Sequence, residues 1–345
     1  MNRLQIPPRF AALAAEYPDL TICRVSLQEK GQYGLVSAQG EQAAVVAGKF
    51  RHDAVTRSDY PAVGDYVMAD LNDNHTAVIH HVLHRQSLFL RKAAGKARTE
   101  QAVAANIDTV FLCMALNHDF NLRRLERYLA IAWDSGAVPV VVLTKADLCD
   151  DAAGRLAEVQ RVAVGADVVV TSAKEDDCQQ ILPYITAGKT VAFVGSSGAG
   201  KSTLINWLLG EDRLETGGLR NDDKGRHTTT HRALVMLPNG TMVIDTPGMR
   251  ELGMWDTAEG LGTAFSDIEA LVADCRFGNC THTTEKGCAV RAALECGQLD
   301  AERWRSYQKL QAENAYAADG ASYLAAKEKR FKEIARQNKS NRKRF

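Results

Sequence analysis

The chain has 345 residues, 46% of them hydrophobic and 24% charged, with a formal net charge of +0. That length allows two or three domains, the mix is that of a soluble globular protein, and the balanced charge excludes a global field aimed at nucleic acid, so any basic patch must be local. No apolar run reaches the ~20 residues of a membrane span, and the opening Met1-Asn-Arg-Leu-Gln-Ile-Pro-Pro8 is broken by two prolines, so it is not expected to act as a signal peptide.

Of eight cysteines, Cys23, Cys113, Cys149 and Cys178 are scattered and the other four crowd between 275 and 296. This is the usage of a reducing compartment with a local metal site, and the expected location is the cytoplasm. No membrane partner is expected, and nothing suggests an obligate interface, so a monomer is expected.

Residues 1–20 predict a short helical extension over Arg9–Glu16, ended by Pro18. Residues 21–95 carry short β runs at Thr21–Val25, Tyr33–Val36, Ala43–Val46, Asp65–Met68 and Thr76–Ile79, broken by glycines and Pro61. Five short strands in this span fit an OB-like barrel, and an SH3-like barrel would read much the same. OB-folds often bind nucleic acid, though a barrel can also be a packing module. The basic run from Arg85 to Arg98 reads as a solvated linker and favours a polyanionic partner only weakly.

From 100 to 265 strands and helices alternate. Apolar strands are expected at Thr109–Cys113, Val138–Leu143, Asp167–Val170, Thr190–Val194, Ala233–Leu237 and Thr241–Ile244, with helices such as Leu122–Trp133 and Ala152–Val164 between them. This is a doubly wound α/β domain with a mostly parallel sheet, whose ligands sit at the carboxyl ends of the strands.

The strand ending at Val194 runs into Gly195-Ser196-Ser197-Gly198-Ala199-Gly200-Lys201-Ser202, followed by Thr203 and an amphipathic helix. Strand, glycine-rich loop and helix together make a phosphate-binding loop. Glycines let backbone N–H groups curl round an anion, and the helix N-terminus adds a positive dipole end. Lys201 would reach the β/γ-phosphates, and the Ser202 hydroxyl would bind Mg²⁺.

Three other strand ends carry polar tetrads or triplets: Thr144-Lys145-Ala-Asp147, Ser172-Ala173-Lys174 and Asp245-Thr-Pro-Gly248. An aspartate at Asp147 can accept from guanine N1–H and N2–H₂ together, whereas adenine offers it a lone pair. Each such charge-assisted bond is worth about 1.5–3 kcal/mol, so the pair discriminates guanine strongly. Lys145 would cover one face of the base, and the Ser172–Lys174 segment would offer a backbone N–H to its carbonyl. Asp245 would hold Mg²⁺, usually through water, and the Gly248 N–H would face the γ-phosphate. Thr228 and Thr229, within Gly225-Arg-His-Thr-Thr-Thr230, would bring a hydroxyl and a carbonyl to Mg²⁺ and the γ-phosphate. The base-reading segments precede the phosphate loop, the reverse of ordinary GTPases, which is the mark of a circular permutation.

Residues 266–345 open on Cys275-x₄-Cys280-x-His282-x₅-Cys288. Three thiolates and one imidazole fit a closed, structural, tetrahedral zinc site. Cys296 is a substitute ligand or a free thiol. Helices are expected over Ala301–Ala317 and Tyr323–Gln337. The tail from Lys327 to Phe345 carries nine Lys/Arg against two Glu, which is either a solvated tail or a salt-sensitive RNA-binding one.

These segments together resemble the YjeQ/RsgA family of circularly permuted, small-ribosomal-subunit-dependent GTPases, across nearly the whole chain. The resemblance implies that the zinc module contacts ribosomal RNA. It also implies that the chain cycles between GTP and GDP, docks on the small ribosomal subunit, assists its late maturation and is released after subunit-stimulated hydrolysis. It makes His227 a candidate for positioning the attacking water; a solvated loop residue or a partner contact would read the same. The family's guanine segment usually opens with asparagine, where this chain has Thr144. Met249 follows Gly248 where many GTPases place a water-orienting glutamine, so slow intrinsic hydrolysis is expected. Two other readings stay open: an RNA-binding GTP switch with negligible hydrolysis, and an ATP-dependent enzyme, against which Asp147 and Ser172–Lys174 argue.

Overall fold

The computed structural model describes residues 4–29, 31–71, 76–92, 100–172, 174, 177–211, 232–245 and 258–318. They belong to two units, Met1–Gly253 and Met254–Phe345. The threonine segment with His227, Thr228 and Thr229, and also Ala173, Gly248, Met249, the helix expected over Tyr323–Gln337 and the basic tail, lie outside the described residues.

The first unit begins with α1 (Pro8–Ala14), followed by β1 (Thr21–Gln28), β2 (Tyr33–Ser37), β3 (Gly40–Val46), α2 (Gly48–Asp53), β4 (Tyr66–Asp70) and β5 (Ala77–Val82). The five strands run in the order β1-β2-β3-β5-β4, and a further β1–β4 pairing closes them into an OB-like barrel. All pairings are antiparallel except β3–β5. In β2 burial alternates residue by residue, as a strand with one core face requires. Cys23, Val25, Leu35, Val67, Ala69 and Ile79 fill the interior. Phe10 of α1 stacks on Tyr66 with ring centroids 4.0 Å apart and packs with Met68 and Leu83, so the N-terminal helix seals an apolar patch outside the barrel core.

A hairpin follows, β6 (Leu88–Lys92) paired antiparallel with β7 (Glu100–Ala105). This corrects the linker expected from Arg85 to Arg98, of which residues 93–98 lie outside the described set. Arg85 is no linker residue either. Its guanidinium grips the fully buried Asp65 carboxylate at 2.8 and 2.7 Å and donates to the Ser58 and Tyr60 carbonyls. Burial pushes the Asp65 carboxyl up, and the Arg85 bonds pull against that shift. A buried carboxylate needs such a partner, and arginine supplies a planar fork that matches it.

Next come β8 (Thr109–Ala115), α3 (Leu122–Asp134), β9 (Val138–Thr144), α4 (Ala152–Val162), β10 (Asp167–Val170), β11 (Thr190–Val194), α5 (Lys201–Leu209), β12 (Arg232–Met236) and β13 (Met242–Asp245). The strand order is β10-β9-β8-β11-β13-β12, parallel except for the β12–β13 pair. All six expected strands are present. Phe111, Val140, Val142, Val191 and Phe193 pack with Leu204 and Ile205 of α5 on one face, while Val110, Leu112, Val141, Leu143 and Ala192 are buried on the other. Such two-sided burial explains the unbroken apolar runs. The end of β1 also pairs with β12, through Leu27–Ala233 and Gln28–Arg232, so barrel and α/β sheet form one eleven-stranded sheet.

The second unit holds α6 (Ala258–Ala264), α7 (Ser266–Ala273), α8 (Ala289–Glu295) and α9 (Ala301–Ala318). Leu261, Phe265, Ile268, Val290, Trp304 and Tyr307 are buried. Arg303 of α9 pairs with Asp267 at 2.7 Å and lies 4.7 Å from the Phe265 ring centroid. Among the described residues no helix is long and apolar enough to cross a membrane.

Candidate nucleotide site and metal centre

β8, β9, β10, β11 and β13 are parallel, so their carboxyl ends lie along one edge of the sheet. That edge carries Thr144 at the end of β9, the Thr171–Ser172 step after β10, Gly195 after β11 and Asp245 at the end of β13. These segments are far apart in sequence and come together only through the strand order.

The phosphate loop is shaped by close approach. Gly195 has φ +154°, and a Cβ there would stand 2.3 Å from the Cys113 carbonyl oxygen of β8. Only glycine lets the chain turn this tightly against the neighbouring strand. Gly200, at φ +83°, caps α5, which starts at Lys201. The Lys201 ammonium donates to the Gly195 and Ser196 carbonyls at 2.8 and 2.6 Å, so its charge is held over the loop. Ser202 and Thr203 lie in the first turn of α5, where N–H groups point toward the loop. The Cys113 thiol beside the loop is pushed up to about 12 by burial, against a weaker pull from Lys201, and is unreactive at neutral pH.

Three hydrogen bonds join the segments at Thr144–Asp147 and Thr171–Ser172 to this loop and to each other. The buried Thr144 hydroxyl donates to the Ala199 carbonyl at 2.9 Å. The Ser172 hydroxyl donates to Asp147 Oδ1 at 2.9 Å, and the Ala146 N–H donates to the Thr171 carbonyl at 3.2 Å. Lys145 sits at φ +58°, a left-handed step that turns the chain out of β9 into the short helical turn bearing Asp147. Lys174 is exposed beyond Ser172. Asp245 ends β13, the strand next to β11 and its phosphate loop.

One participant has no precedent in the sequence reading. Asp119, in the turn between β8 and α3, accepts a bond from the Ser196 hydroxyl and pairs with Arg124 at 2.9 Å. Asn117 receives the Asp119 N–H, and Asn121 caps α3 by accepting from the Arg124 N–H. The Asn117-x-Asp119-x-Asn121 spacing at a strand end was the available signal.

In the second unit Cys275, Cys280, His282 and Cys288 bring their ligand atoms within 4.8 Å of one another. The Cys275–Cys288 sulfur pair is 3.9 Å apart, and each of these sulfurs is 3.5 Å from His282 Nδ1. Thiolate–zinc bonds of about 2.3 Å put tetrahedral neighbours about 3.7 Å apart, so the cluster fits zinc. Cys296 is exposed, bonds to the Ala293 carbonyl and lies outside the cluster. Glu285 organises the loop. Its carboxylate accepts from the Thr281, Thr283 and Thr284 N–H groups and from the Thr281 hydroxyl. These bonds, those of Thr281 first, hold it well below the usual carboxylate range. The His282 ring meets Trp304 of α9 edge-on at 5.4 Å, which ties the metal loop to the helical core.

A sequence model of the RsgA GTPase family matches residues 82–255. The chain is 51% identical to the small ribosomal subunit biogenesis GTPase RsgA 2 of Lactiplantibacillus plantarum, over 85% of this chain and 83% of that protein. It is 50% identical to the small ribosomal subunit biogenesis GTPase RsgA of Opitutus terrae, over 89% and 87%. Among solved structures it is similar to YjeQ from Thermotoga maritima, with a TM-score of 0.63 and 27% identity over 84% of this chain and 97% of that one. The fold is also that of YloQ, described as a circularly permuted GTPase, with a TM-score of 0.59 and 24% identity over 86% and 96%. With this permuted strand order, phosphate loop and breadth of similarity, the chain belongs to the RsgA family of GTPases.

Proposed function

We propose that this chain hydrolyses GTP, binds the small ribosomal subunit and its RNA, and assists late maturation of that subunit in the cytoplasm, with subunit-stimulated hydrolysis coupled to release. The observation that carries the GTP part is the convergence of Lys201, Thr144, Asp147 and Ser172 on one sheet edge through the Thr144–Ala199 and Ser172–Asp147 bonds. The names of the curated relatives support the ribosomal part.

The chain's own residues divide the work. Backbone N–H groups from Gly195 to Ser202 cradle the phosphates, and the Lys201 ammonium moves from the loop carbonyls onto phosphate oxygens as the negative charge arrives. Asp147 reads guanine N1–H and N2–H₂, with the Ser172 hydroxyl fixing its carboxylate. Lys145 covers the base, and the Ser172–Lys174 segment, Ala173 included, offers a backbone N–H to O6. Ser202, Thr229 and Asp245 are hard oxygen donors that would hold Mg²⁺, which would neutralise phosphate charge there. Thr228, Thr229 and the Gly248 N–H face the γ-phosphate, and His227 orients water in the stimulated state. Loss of the γ-phosphate frees that segment and weakens docking.

Cys275, Cys280, His282 and Cys288 hold one structural zinc. Docking runs through the barrel, the zinc module and the basic tail of a monomer. Co-sedimentation with small subunits, in a non-hydrolysable GTP analogue and in GDP, tests the cycle: tight binding only with the analogue is expected, and equal binding in both states contradicts it.

A further inference from the structure

Thr144 ends β9, against the phosphate loop and three residues before Asp147. A threonine hydroxyl has a single proton to donate. Here that proton is committed: Oγ1 donates to the Ala199 carbonyl at 2.9 Å, and the residue is only 3% exposed. The other branch of the side chain is a methyl group. A Cβ built on Gly200 would stand 3.3 Å from Oγ1 and 3.6 Å from that methyl, so both branches face the phosphate loop. A β-branched side chain is stiff about χ1. Turning the hydroxyl toward a base would strip the Ala199 carbonyl of this bond in a buried place, where an unmade bond is costly.

We infer that Thr144 clamps the phosphate loop and does not read the base. Guanine is therefore selected through its Watson–Crick edge, by Asp147 as held by Ser172, with no demand for an acceptor at N7. This rests on the GTP reading above. An asparagine at 144 would carry two N–H donors on a longer side chain. It could keep the clamp and spend a second proton on N7, so with threonine this chain's purine recognition rests on fewer base atoms than it would with an amide.

The probe is 7-deazaguanosine diphosphate, which exchanges N7 for C–H and leaves N1, N2 and O6 unchanged. The full chain, carrying a fluorescent GDP, is titrated with GDP, 7-deaza-GDP, inosine diphosphate and ADP. Wild type is expected to bind 7-deaza-GDP within about twofold of GDP, and inosine diphosphate, which lacks the 2-amine, at least ~tenfold more weakly. Thr144→Asn is expected to disfavour 7-deaza-GDP by about fivefold relative to GDP. Thr144→Val, which loses the clamp and keeps the shape, should weaken GDP and 7-deaza-GDP equally, and it serves if the asparagine variant does not fold.

A wild-type loss of about fivefold or more with 7-deaza-GDP overturns the inference. So does inosine diphosphate binding as well as GDP, or a changed GDP to 7-deaza-GDP ratio in Thr144→Val. Failure of GDP itself to bind, or equal displacement by ADP, would instead overturn the GTP reading.

Discussion

Arg24 of the barrel donates to the Thr190 hydroxyl at 2.7 Å, although the two residues are 166 positions apart. Thr190 opens β11, the strand that ends at the phosphate loop. The same guanidinium donates to the Gly64 carbonyl and the Tyr66 hydroxyl, and lies 4.4 Å from the Tyr66 ring centroid. Arg24 is 1% exposed, and burial pulls its pKa down against the opposing pull of Tyr66. Arg24→Ala should leave several buried acceptors unmet and cost about 3 kcal/mol, read as a fall in unfolding midpoint. Arg24→Lys should recover little, because one ammonium cannot span the fork's acceptors. Wild-type stability in Arg24→Ala would show that the barrel's attachment does not depend on this residue.

Asp119 latches the phosphate loop through Ser196 and is itself held by Arg124. Asp119→Ala should weaken GDP binding by about fivefold without changing helicity, because the loop loses an ordering contact rather than a phosphate ligand. Isothermal titration of GDP checks this, and unchanged affinity would make the latch incidental.

On the proposed reading Asp147 would offer an acceptor pair to guanine; its carboxylate accepts a bond from the Ser172 hydroxyl. Asp147→Asn replaces acceptors with a carbonyl and an amide that donates. GTP affinity should fall by about 100-fold, while xanthosine triphosphate, which presents a carbonyl at C2, should gain. Nucleotide competition measures both arms, and retention of guanine preference would move base reading to other residues.

The Cys/His loop brings together four residues able to hold a metal, and Glu285 bonds its backbone. Purified protein should carry about one zinc per chain. Cys288→Ser should lose the zinc and part of the helical signal, because metal binding and folding of the loop are one process. Glu285→Ala should keep the ligands and lower zinc affinity about tenfold by freeing the Thr281, Thr283 and Thr284 N–H groups. Metal analysis and competition with a coloured chelator distinguish the two. Zinc retained in Cys288→Ser would contradict the ligand set.

The strands of the α/β sheet and the Cys/His cluster were legible in the sequence for plain reasons. Strands buried on both faces must be continuously apolar, as Val138–Leu143 is, and cysteine and histidine spacing is local along the chain. The phosphate loop and its neighbouring polar segments were legible as residue types, and the clamp from Thr144 to Ala199 adds the geometry. What hid was charge used inside. Arg24 and Arg85 look like surface residues in a hydrophobic pattern, and only long-range packing shows that they meet Thr190 and Asp65. The β6–β7 hairpin hid for a related reason: Leu88–Lys92 ends in two cations and resembles a linker until its partner strand is known. Asp119 required knowing that β8 and β11 are neighbours.

The most direct test of the central claim is the rate of GTP turnover by the full chain alone, and with small ribosomal subunits, large subunits or naked RNA. A slow rate alone that rises far more than about tenfold with small subunits, and not with the other two, is the expected result. A rate that small subunits leave unchanged would contradict it.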